Sequence, residues 1–569
     1  MSDKLIEYQR ADTPLPETNR LWPLYDAGFE NLGRDGQPID TPLPEYGPDE
    51  LVARHDAVGL CFSDIKVIRQ GERHPRIYRD MQAEPVTLGH EVSVTVVGVG
   101  ENLREQYQVG DRFIVQADIF VDGVGYAYGY EIQGGLSLYG VIDQRILNGD
   151  HGNYLIPVQP GTGYAESALT EPWACVIAAY QLGYRTTLKP GGTTWIVGVG
   201  GEGAYTIGDG FDKESHPARL LLSDVPSEFA AWLRERAAAL GVEVLEAPDL
   251  DNPPLTPVDD IVILGADAGV VETVSPHLSD FGVVALVAEK PLPRKVGVDV
   301  GRVHYNRWVY VGAPGPNVAQ AYSKMEVRST LKSGGRAWFV GAGGPMGRMH
   351  VQRAIQLAQG PGVIVCTDVS DLRLDDLHAS FAAEAEGKGI EWICLNPLNK
   401  DVYDAAMARF RDDGFDDIIV LAPVPPVIAD AATYLAHKGV MNVFAGVARG
   451  TMIDLDLSDV YLKDARIIGH SASTIDDLRL MLSQAESGEL SPNRSVAAIG
   501  SLSAARDGLL AVQDTVFPGK IVIYPHIKEM ALTALPDLKE VLPTVYARLR
   551  NGNEWTVEAE REFLRVMLE

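Results

Sequence analysis

The residue types of a metal-dependent active site occur within the first hundred residues, in the order Cys61, Ser63, Asp64, His90 and Glu91. A thiolate, an imidazole and carboxylates are ligands that suit Zn²⁺, and a catalytic zinc keeps one coordination position open for water or substrate. Each residue also has an ordinary structural interpretation, because a single cysteine or histidine more often belongs to a packed core. The metal hypothesis therefore depends on the set as a whole.

Two glycine-rich turns predict nucleotide binding. The first is GVGGEG from Gly198 and the second is GAGGPMG from Gly341, and each follows a short apolar run. Glycines at these positions let the backbone approach a pyrophosphate at a helix N-terminus, and an acid about 20 residues later is placed to accept from a ribose hydroxyl. The candidate residues are Gly198, Gly200, Gly203 and Asp224 in the first copy, and Gly341, Gly343, Gly344, Gly347 and Asp368 in the second.

The segments around these turns repeat, which predicts a duplicated α/β fold. DDIVILG at 259–265 is matched by DDIIVLA at 416–422, and further apolar runs of strand length follow in both copies. Short apolar strands that alternate with helix-length segments indicate a parallel sheet with helices on both faces. We therefore expect each copy to have the order strand, turn, helix, strand. Residues 1–165, in contrast, are rich in glycine, proline and short β-type runs, and they predict a β-rich first domain.

Composition narrows the classes of partner and compartment. The 569 residues carry a net charge of -29, which disfavours nucleic acid or an anionic membrane as a partner. No apolar stretch is long enough to span a bilayer, and there is no N-terminal signal pattern. The four cysteines are too few and too scattered for a disulfide framework, so we expect a cytoplasmic protein in a reducing compartment.

The order of these motifs resembles that of the zinc-dependent medium-chain dehydrogenases and reductases, the alcohol and polyol dehydrogenase family. The EPWAC segment from Glu171 and the strand GKIVI at 519–523 extend the resemblance. Within the family, the second glycine turn and the Met349-His350 pair after it are most similar to reductases of the L-sorbose-1-phosphate type. Members of the family commonly form dimers or tetramers, so we expect a homo-oligomer.

The resemblance implies an α/β chain of several domains. Residues 1–165 are expected to form a GroES-like zinc-binding catalytic domain, to which a closing strand at 515–525 returns. Two tandem doubly wound Rossmann-type domains should cover 166–325 and 326–490. The segment 526–569 has no motif of its own, and its periodicity predicts a C-terminal helical extension.

The resemblance also implies roles for the candidate residues. Cys61 and His90 would be the first zinc ligands, with Glu171 as the third, where polyol dehydrogenases place a carboxylate. Glu91 would bind zinc transiently or through water. Ser63 resembles the proton-relay hydroxyl of the family. Asp64 resembles the acid that holds a ligand imidazole in its metal-binding tautomer.

A single catalytic zinc per chain is expected, without a structural zinc. Many alcohol dehydrogenases carry four closely spaced cysteines on a lobe, and the corresponding stretch here, 118–140, has none. That stretch contains Tyr126, Tyr128, Tyr130 and Tyr139, which are interpreted either as lining for a sugar-like substrate or, more often, as cover for a loop.

Both Asp224 and Asp368 favour NAD over NADP, because a carboxylate at that position repels a 2′-phosphate. Arg373 belongs to the same ribose-binding segment as Asp368 by resemblance, and it weakens this preference slightly. Ordinary family members have one nucleotide fold, and the sequence does not decide which copy faces the zinc, although the second is the closer match. The first copy could bind a second nucleotide, complete the substrate pocket or form an oligomer surface.

The predicted function is a zinc-dependent, NAD-linked oxidoreductase that acts on a secondary alcohol or ketone of a polyol, sugar or sugar phosphate. Zinc would act as a Lewis acid on the substrate oxygen, and the nicotinamide would take the hydride. One alternative is a zinc-free carbonyl or enoyl reductase. Another is a non-catalytic dinucleotide sensor or scaffold.

Overall fold

The computed structural model describes residues 4–568, apart from 182, 201–202, 324–329 and 471. The chain divides into two compact units. The first unit combines Met1–Ile177, Gly344–Met349 and Ser473–Glu569, and the second combines Ala178–Gly343 and His350–Ala472. No helix in the described residues has the length and apolar character that crossing a membrane requires.

The elements up to residue 178 are β1 (Thr18–Leu21), β2 (Pro23–Leu24), β3 (Ile39–Pro42), β4 (Leu51–Gly59), β5 (Val86–Thr87), β6 (Glu91–Val99), β7 (Arg112–Val115), β8 (Phe120–Val121), β9 (Val124–Gly125), β10 (Tyr139–Ile142) and β11 (Leu155–Pro157), with α1 (Lys4–Arg10), α2 (Phe62–Gln70), α3 (Gln144–Leu147), α4 (Tyr164–Ala168) and α5 (Thr170–Ala178). The next stretch contains β12 (Thr193–Gly198), β13 (Arg219–Ser223), β14 (Glu243–Glu246), β15 (Val258–Leu264), β16 (Leu278–Val287), β17 (Val296–Asp299) and β18 (Val309–Ala313), with α6 (Ser227–Leu240), α7 (Ala268–Val274), α8 (Val300–Tyr305) and α9 (Val318–Ser323).

The second copy contains β19 (Arg336–Val340), β20 (Val363–Thr367), β21 (Glu391–Leu395), β22 (Phe415–Val420), β23 (Leu435–Val443), β24 (Met452–Leu455) and β25 (Arg466–Ile468), with α10 (Pro345–Gln356), α11 (Asp371–Gly387), α12 (Lys400–Ala408), α13 (Pro425–Ala432) and α14 (Ser458–Leu462). The remainder contains β26 (Val496–Ser501), β27 (Lys520–Tyr524) and β28 (Thr533–Ala534), with α15 (Ile475–Glu486), α16 (Ala505–Gln513), α17 (Leu538–Val541), α18 (Pro543–Tyr546) and α19 (Val557–Met567).

The first unit is built on an eight-stranded sheet in the order β11-β7-β6-β4-β27-β26-β28, with β10 also paired to β4. Its centre is the antiparallel pair of β4 and β6, whose residues are almost all buried. Strand β27 pairs antiparallel with the end of β4, so a segment from the C-terminal part of the chain adjoins the segment that leads into Cys61. The last 40 residues contain three helices and pack within this unit.

The second unit contains one twelve-stranded sheet in the order β14-β13-β12-β15-β16-β18-β25-β23-β22-β19-β20-β21. Each half has the strand order 3-2-1-4-5-6 of a doubly wound nucleotide-binding fold. The expected mixed α/β fold, with a β-rich first domain and Rossmann-type parallel sheets, is therefore confirmed. The two halves are nevertheless not separate sheets, because β18 pairs antiparallel with β25 where Tyr310 meets Ile467.

The two halves repeat details as well as strand order. Trp195 donates its indole N–H to Ser223 Oγ at 2.8 Å, and Trp338 does the same to Thr367 Oγ1 at 3.0 Å. A lysine before the first strand of each half pairs with the first acid of the DD motif, at 2.6 Å from Lys189 and 2.5 Å from Lys332. These matched contacts support an internal duplication.

The junction between the halves is apolar. A single hydrophobic cluster contains Trp195 and Tyr310 of the first half together with Trp338 and Ile467 of the second. A second contact joins the halves where β17 pairs antiparallel with β24. Because burial of apolar surface dominates the stability of such contacts, we expect the halves to fold as one cooperative body.

The first copy departs from the sequence expectation, because β12 is not followed by a helix. Within the described part of 199–218, the chain forms turns, bends and one isolated β-bridge from Thr206 to Asn317, and no helix. The segment contains Gly208, Gly210 with φ of 83°, and Asp212, which accepts from the backbone N–H groups of Glu214 and Ser215. Glycines and side-chain-capped turns disfavour a helix. The order strand, turn, helix, strand was therefore wrong for the first copy and is confirmed for the second, where α10 begins at Pro345.

Candidate metal and nucleotide sites

Cys61 lies directly before α2 and caps the N-terminus of this helix. Its backbone N–H donates to Oδ2 of Asp64 at 2.9 Å. Asp64 is fully buried, whereas Cys61 and Ser63 are partly exposed. A motif of four residues at a helix start therefore positions three candidate side chains together.

His90 lies immediately before β6 and is oriented by Asp64. The Nδ1 atom of His90 is 3.2 Å from Oδ1 of Asp64, and the same oxygen accepts from the Gly89 N–H at 3.4 Å. Burial opposes a charged imidazole, but Asp64, Tyr130 and Cys61 together outweigh it and raise the pKa of His90. With Nδ1 held by a carboxylate, Nε2 is the nitrogen available to a metal.

Glu91 begins β6 and is completely buried beside Gly59 of β4. A Cβ on Gly59 would lie 2.1 Å from Oε2 of Glu91, so only glycine leaves room for this carboxylate. Oε1 of Glu91 accepts from Lys520 Nζ at 2.5 Å, while Oε2 has no hydrogen-bond partner in the described residues. Burial alone would lower the pKa of Lys520, but the neighbouring negative groups, Glu91 first among them, together outweigh it, and the pKa of Lys520 is raised.

Glu171 lies in the first turn of α5, four residues before Cys175. Burial raises the pKa of Glu171 to about 7, with His90 acting against the rise and Glu91 adding to it. Burial, and then Glu171 itself, raise the pKa of the Cys175 thiol well above its usual range. Glu171 is thus a second carboxyl group close to His90 and Glu91. Within the described chain it has no cation of its own in ion-pair contact.

The Ser63 hydroxyl lies close to that of Tyr130, whose ring packs edge-on against the imidazole of His90 at 5.8 Å between centroids. Burial raises the pKa of Tyr130. A second imidazole, that of His74, also packs edge-on with the Tyr130 ring, at 5.1 Å between centroids. Tyr128, in contrast, is a core residue whose hydroxyl lies 2.7 Å from Nε2 of His55. Of the tyrosines in this lobe, Tyr130 therefore reaches the candidate site.

The arrangement fits a divalent cation. Cys61, His90 and Glu91 each offer one ligand atom, and these atoms lie within 4.8 Å of one another; no other such group occurs in the described chain. A sulfur, an imidazole nitrogen and an unpartnered buried carboxylate oxygen form a donor set suited to zinc. Glu171 lies outside this set of three, although it interacts electrostatically with two of its members.

The glycine turn of the second copy is held against its ribose-side acid. Gly341 has φ of 84°, and its N–H donates to the Thr367 carbonyl at 2.8 Å. The Gly343 N–H donates to Oδ2 of Asp368 at 3.0 Å. A Cβ on Gly343 would lie 2.6 Å from Cβ of Arg373, so a larger residue does not fit.

Asp368 is buried, and its other oxygen accepts from the Ser370 N–H at 3.1 Å. The 12-residue helix α10 follows the turn, with Gly347 in its first turn, and an added Cβ on Gly344 would meet no atom within 4 Å. A fixed acid, a tight turn and a helix N-terminus together make a suitable cradle for a dinucleotide.

The corresponding groups of the first copy are arranged differently. Asp224 is exposed and has a left-handed backbone with φ of 46°. A Cβ on Gly203 would lie 2.5 Å from the ring of Tyr205, and no helix lies between β12 and β13 in the described residues. Residues 201–202 of this turn lie outside the described chain. In its described part, the first copy therefore lacks the helix N-terminus that would face a pyrophosphate.

Sequence reasoning did not identify Lys520 as a member of the site, and it did not distinguish Tyr130 from the other tyrosines of 118–140. Lys520 is 429 residues from Glu91 in the chain. The only local signal was a lysine at the start of the otherwise apolar strand KIVI. Tyr130 was one of several tyrosines that the sequence offered equally as lining for a substrate pocket, and its packing against His90 distinguishes it.

Residues 47–156 match the family model of the alcohol dehydrogenase GroES-like domain. Over nearly the whole chain, the protein is similar to mannitol-1-phosphate 5-dehydrogenase of Aliivibrio fischeri, at 23% identity over 92% of this chain and 93% of the relative. It is also similar to L-sorbose 1-phosphate reductase of Klebsiella pneumoniae, at 24% identity over 92% of this chain and 93% of the relative.

Among solved structures, 2R,3R-butanediol dehydrogenase from Bacillus subtilis resembles the fold with a TM-score of 0.50 at 16% identity. The match covers 89% of this chain and 99% of that one.

Proposed function

We propose that the chain is a zinc-dependent, NAD-linked oxidoreductase of the medium-chain alcohol and polyol dehydrogenase type. Its substrate would be the secondary alcohol or ketone of a polyol, a sugar or, most consistently with its relatives, a sugar phosphate. The observation that carries this proposal is the clustering of Cys61, His90 and Glu91, with Asp64 behind the imidazole.

Cys61, His90 and Glu171 would be the zinc ligands, and Glu91 would bind the zinc transiently or through water. The charge of Glu91 is already matched by Lys520, whereas Glu171 has no such partner and is free to neutralise a cation. Zinc bound there supplies Lewis acidity that lowers the pKa of an alcohol. Asp64 keeps the imidazole in the tautomer that presents Nε2.

Ser63 and Tyr130 would form the start of a proton path. Their hydroxyl groups lie close together beside His90, and both can donate and accept. A proton released by an alcohol at Ser63 would pass to the Tyr130 hydroxyl as that group gives up its own. Neither residue needs to carry a stable charge in this exchange, which suits a phenol whose burial raises its pKa.

The second nucleotide fold would hold the working NAD. This assignment is supported by the difference between the ribose-side acids of the two folds. Asp368 is buried and accepts hydrogen bonds from two backbone N–H groups, whereas Asp224 is exposed. The first fold would then serve as a built-in structural partner, since its last strand pairs with that of the second. Homo-oligomerisation and a cytoplasmic location stay predictions.

The test combines metal content by mass spectrometry with calorimetric NAD titration of the wild type, Asp224→Arg and Asp368→Arg. We expect about one zinc per chain, and NAD binding that only Asp368→Arg abolishes. An absence of zinc, with activity that withstands a chelator, would favour the zinc-free reductase. Zinc-replete protein that binds NAD but reduces no ketone among sugars and sugar phosphates would favour the sensor.

A further inference from the structure

Two cysteines that the proposed reaction does not use face each other on neighbouring strands of the second nucleotide fold. Cys366 of β20 and Cys394 of β21 are in-register partners of a parallel pair. Neighbouring strands lie about 4.8 Å apart, which is inside the Cα separation of about 4.4–6.8 Å that a disulfide spans. In-register residues also project to the same face of a sheet, so the two thiols lie on one side.

The thiols are close enough to affect each other's pKa, and they differ in their surroundings. Cys366 is fully buried, whereas Cys394 is partly exposed and lines a cavity of about 370 Å³ at the outer edge of the sheet. The cavity is bounded by α11 and by the segment after β21, with Asp375, His378 and Asn399 among its walls. A small solute thus reaches one sulfur, and only that sulfur reaches the other.

The difference in exposure assigns a role to each sulfur. Burial raises the pKa of the Cys366 thiol well above its usual range, whereas the neighbouring Cys366 thiol lowers the pKa of Cys394. The outer sulfur is therefore the better nucleophile, and the inner one keeps its proton until it reacts.

We propose that Cys394 and Cys366 form a peroxide-reactive dithiol, with Cys394 as the attacking and Cys366 as the resolving thiol. The Cys394 thiolate attacks a hydroperoxide, forming an S–O bond, breaking the O–O bond and releasing an alkoxide or hydroxide that takes a proton from water. Cys366 then attacks the Cys394 sulfur, the S–S bond forms, and the hydroxyl group leaves with the Cys366 proton as water. The two thiols supply two electrons to the peroxide.

The other two cysteines provide an internal comparison. Cys61 is a candidate metal ligand, and the Cys175 thiol is protonated and lies beside Glu171. Neither has a second cysteine in strand register within the described residues, so neither is expected to close a disulfide. Loss of catalytic activity on oxidation would not distinguish these sites, and the readout must identify the sulfur atoms.

The experiment treats the zinc-loaded full-length protein with hydrogen peroxide and maps its peptides under non-reducing conditions by mass spectrometry. We expect a linked pair of peptides that contain Cys366 and Cys394, lighter by two hydrogen atoms and separated again by dithiothreitol. In Cys366→Ser, Cys394 should stop at the sulfenic acid, which dimedone traps. In Cys394→Ser, Cys366 should stay a thiol.

If Cys366→Ser does not fold, timed alkylation of the wild type gives an independent readout, with Cys394 expected to react at least tenfold faster than Cys366. Peroxide that oxidises Cys61 or Cys175 while Cys394 stays reduced would overturn the proposal. So would over-oxidation of Cys394 without a link to Cys366. Neither outcome bears on the zinc assignment. Because Cys366 lies two residues before Asp368, the NAD assignment is tested separately by the calorimetric titration.

Discussion

Lys520 and Glu91 form a buried ion pair, 2.5 Å between Nζ and Oε1, although 429 residues separate them in the chain. Lys520 also donates to the carbonyl of Leu60, the residue before Cys61. The pair therefore connects a strand from the C-terminal part of the chain to both segments that supply candidate zinc ligands. Its geometry leads to the first prediction.

Lys520→Met should destabilise the protein by about 3 kcal/mol, because it leaves the buried Glu91 carboxylate without its cation. Urea unfolding measures this change. The double variant Lys520→Met/Glu91→Gln should recover most of the loss, since it removes both charges. If the two single changes simply add, the residues are not coupled.

Glu171→Gln should lower zinc occupancy more than Glu91→Gln does, because Glu171 supplies an unmatched negative charge while Glu91 is balanced by Lys520. Metal content after dialysis gives the comparison, and circular dichroism checks that both variants are folded. The opposite order would make Glu91 the third ligand, in agreement with its closer approach to Cys61 and His90.

Asp64→Asn should weaken zinc binding by about 10- to 100-fold, because an amide no longer fixes the Nδ1–H tautomer of His90. Competition with a chromogenic chelator measures the affinity. Asp40→Asn, at an exposed position in β3, is the matched control and should bind zinc as the wild type does. If Asp64→Asn binds zinc with the same affinity as the wild type, Asp64 does not support the metal site.

Gly343→Ala should abolish NAD binding or weaken it by at least about tenfold, because its methyl group would lie 2.6 Å from Cβ of Arg373 and 2.9 Å from Oδ2 of Asp368. Gly208→Ala, in the loop that replaces the helix of the first copy, meets no atom within 4 Å and serves as the control. Calorimetric titration distinguishes them. Unchanged binding in Gly343→Ala would mean that NAD does not use this turn.

Glu166 gives a prediction on pH. Burial raises its pKa to about 7, whereas the hydrogen bond from Gly163 N–H acts in the opposite direction. A carboxyl group whose folded pKa exceeds its unfolded one costs stability as it ionises, so the free energy of unfolding should fall between about pH 4.5 and 7.

Glu166→Gln should therefore stabilise the protein at pH 8 and leave it nearly unchanged at pH 4.5. The expected gain in the free energy of unfolding at pH 8 is about 2 kcal/mol. This is less than the full pKa shift implies, because the side chain is partly exposed. Unfolding in urea at both values is the measurement, and the exposed Glu105→Gln is the control. An equal gain in stability at pH 8 and at pH 4.5 would contradict the raised pKa of Glu166.

The sequence by itself determined the features that are encoded locally. Side-chain periodicity indicated the strands of both nucleotide folds, and the acids that follow β13 and β20 stood at the predicted distance from the glycine turns. The grouping of Cys61 with Asp64 was equally local, because a helix start four residues long holds both. Such features depend on residues that are neighbours in the chain, so they can be predicted from the residue types alone.

Only the tertiary structure decided how these parts combine. Backbone hydrogen bonds between β18 and β25 join two predicted domains into one sheet, and main-chain groups carry no residue-specific signal of such pairing. Two further features could not be predicted from the local sequence. One is the absence of a helix between Gly203 and β13, and the other is the ion pair between Lys520 and Glu91. A glycine turn looks the same before a helix and before a loop, and the partner of a buried charge is selected by packing across the whole fold.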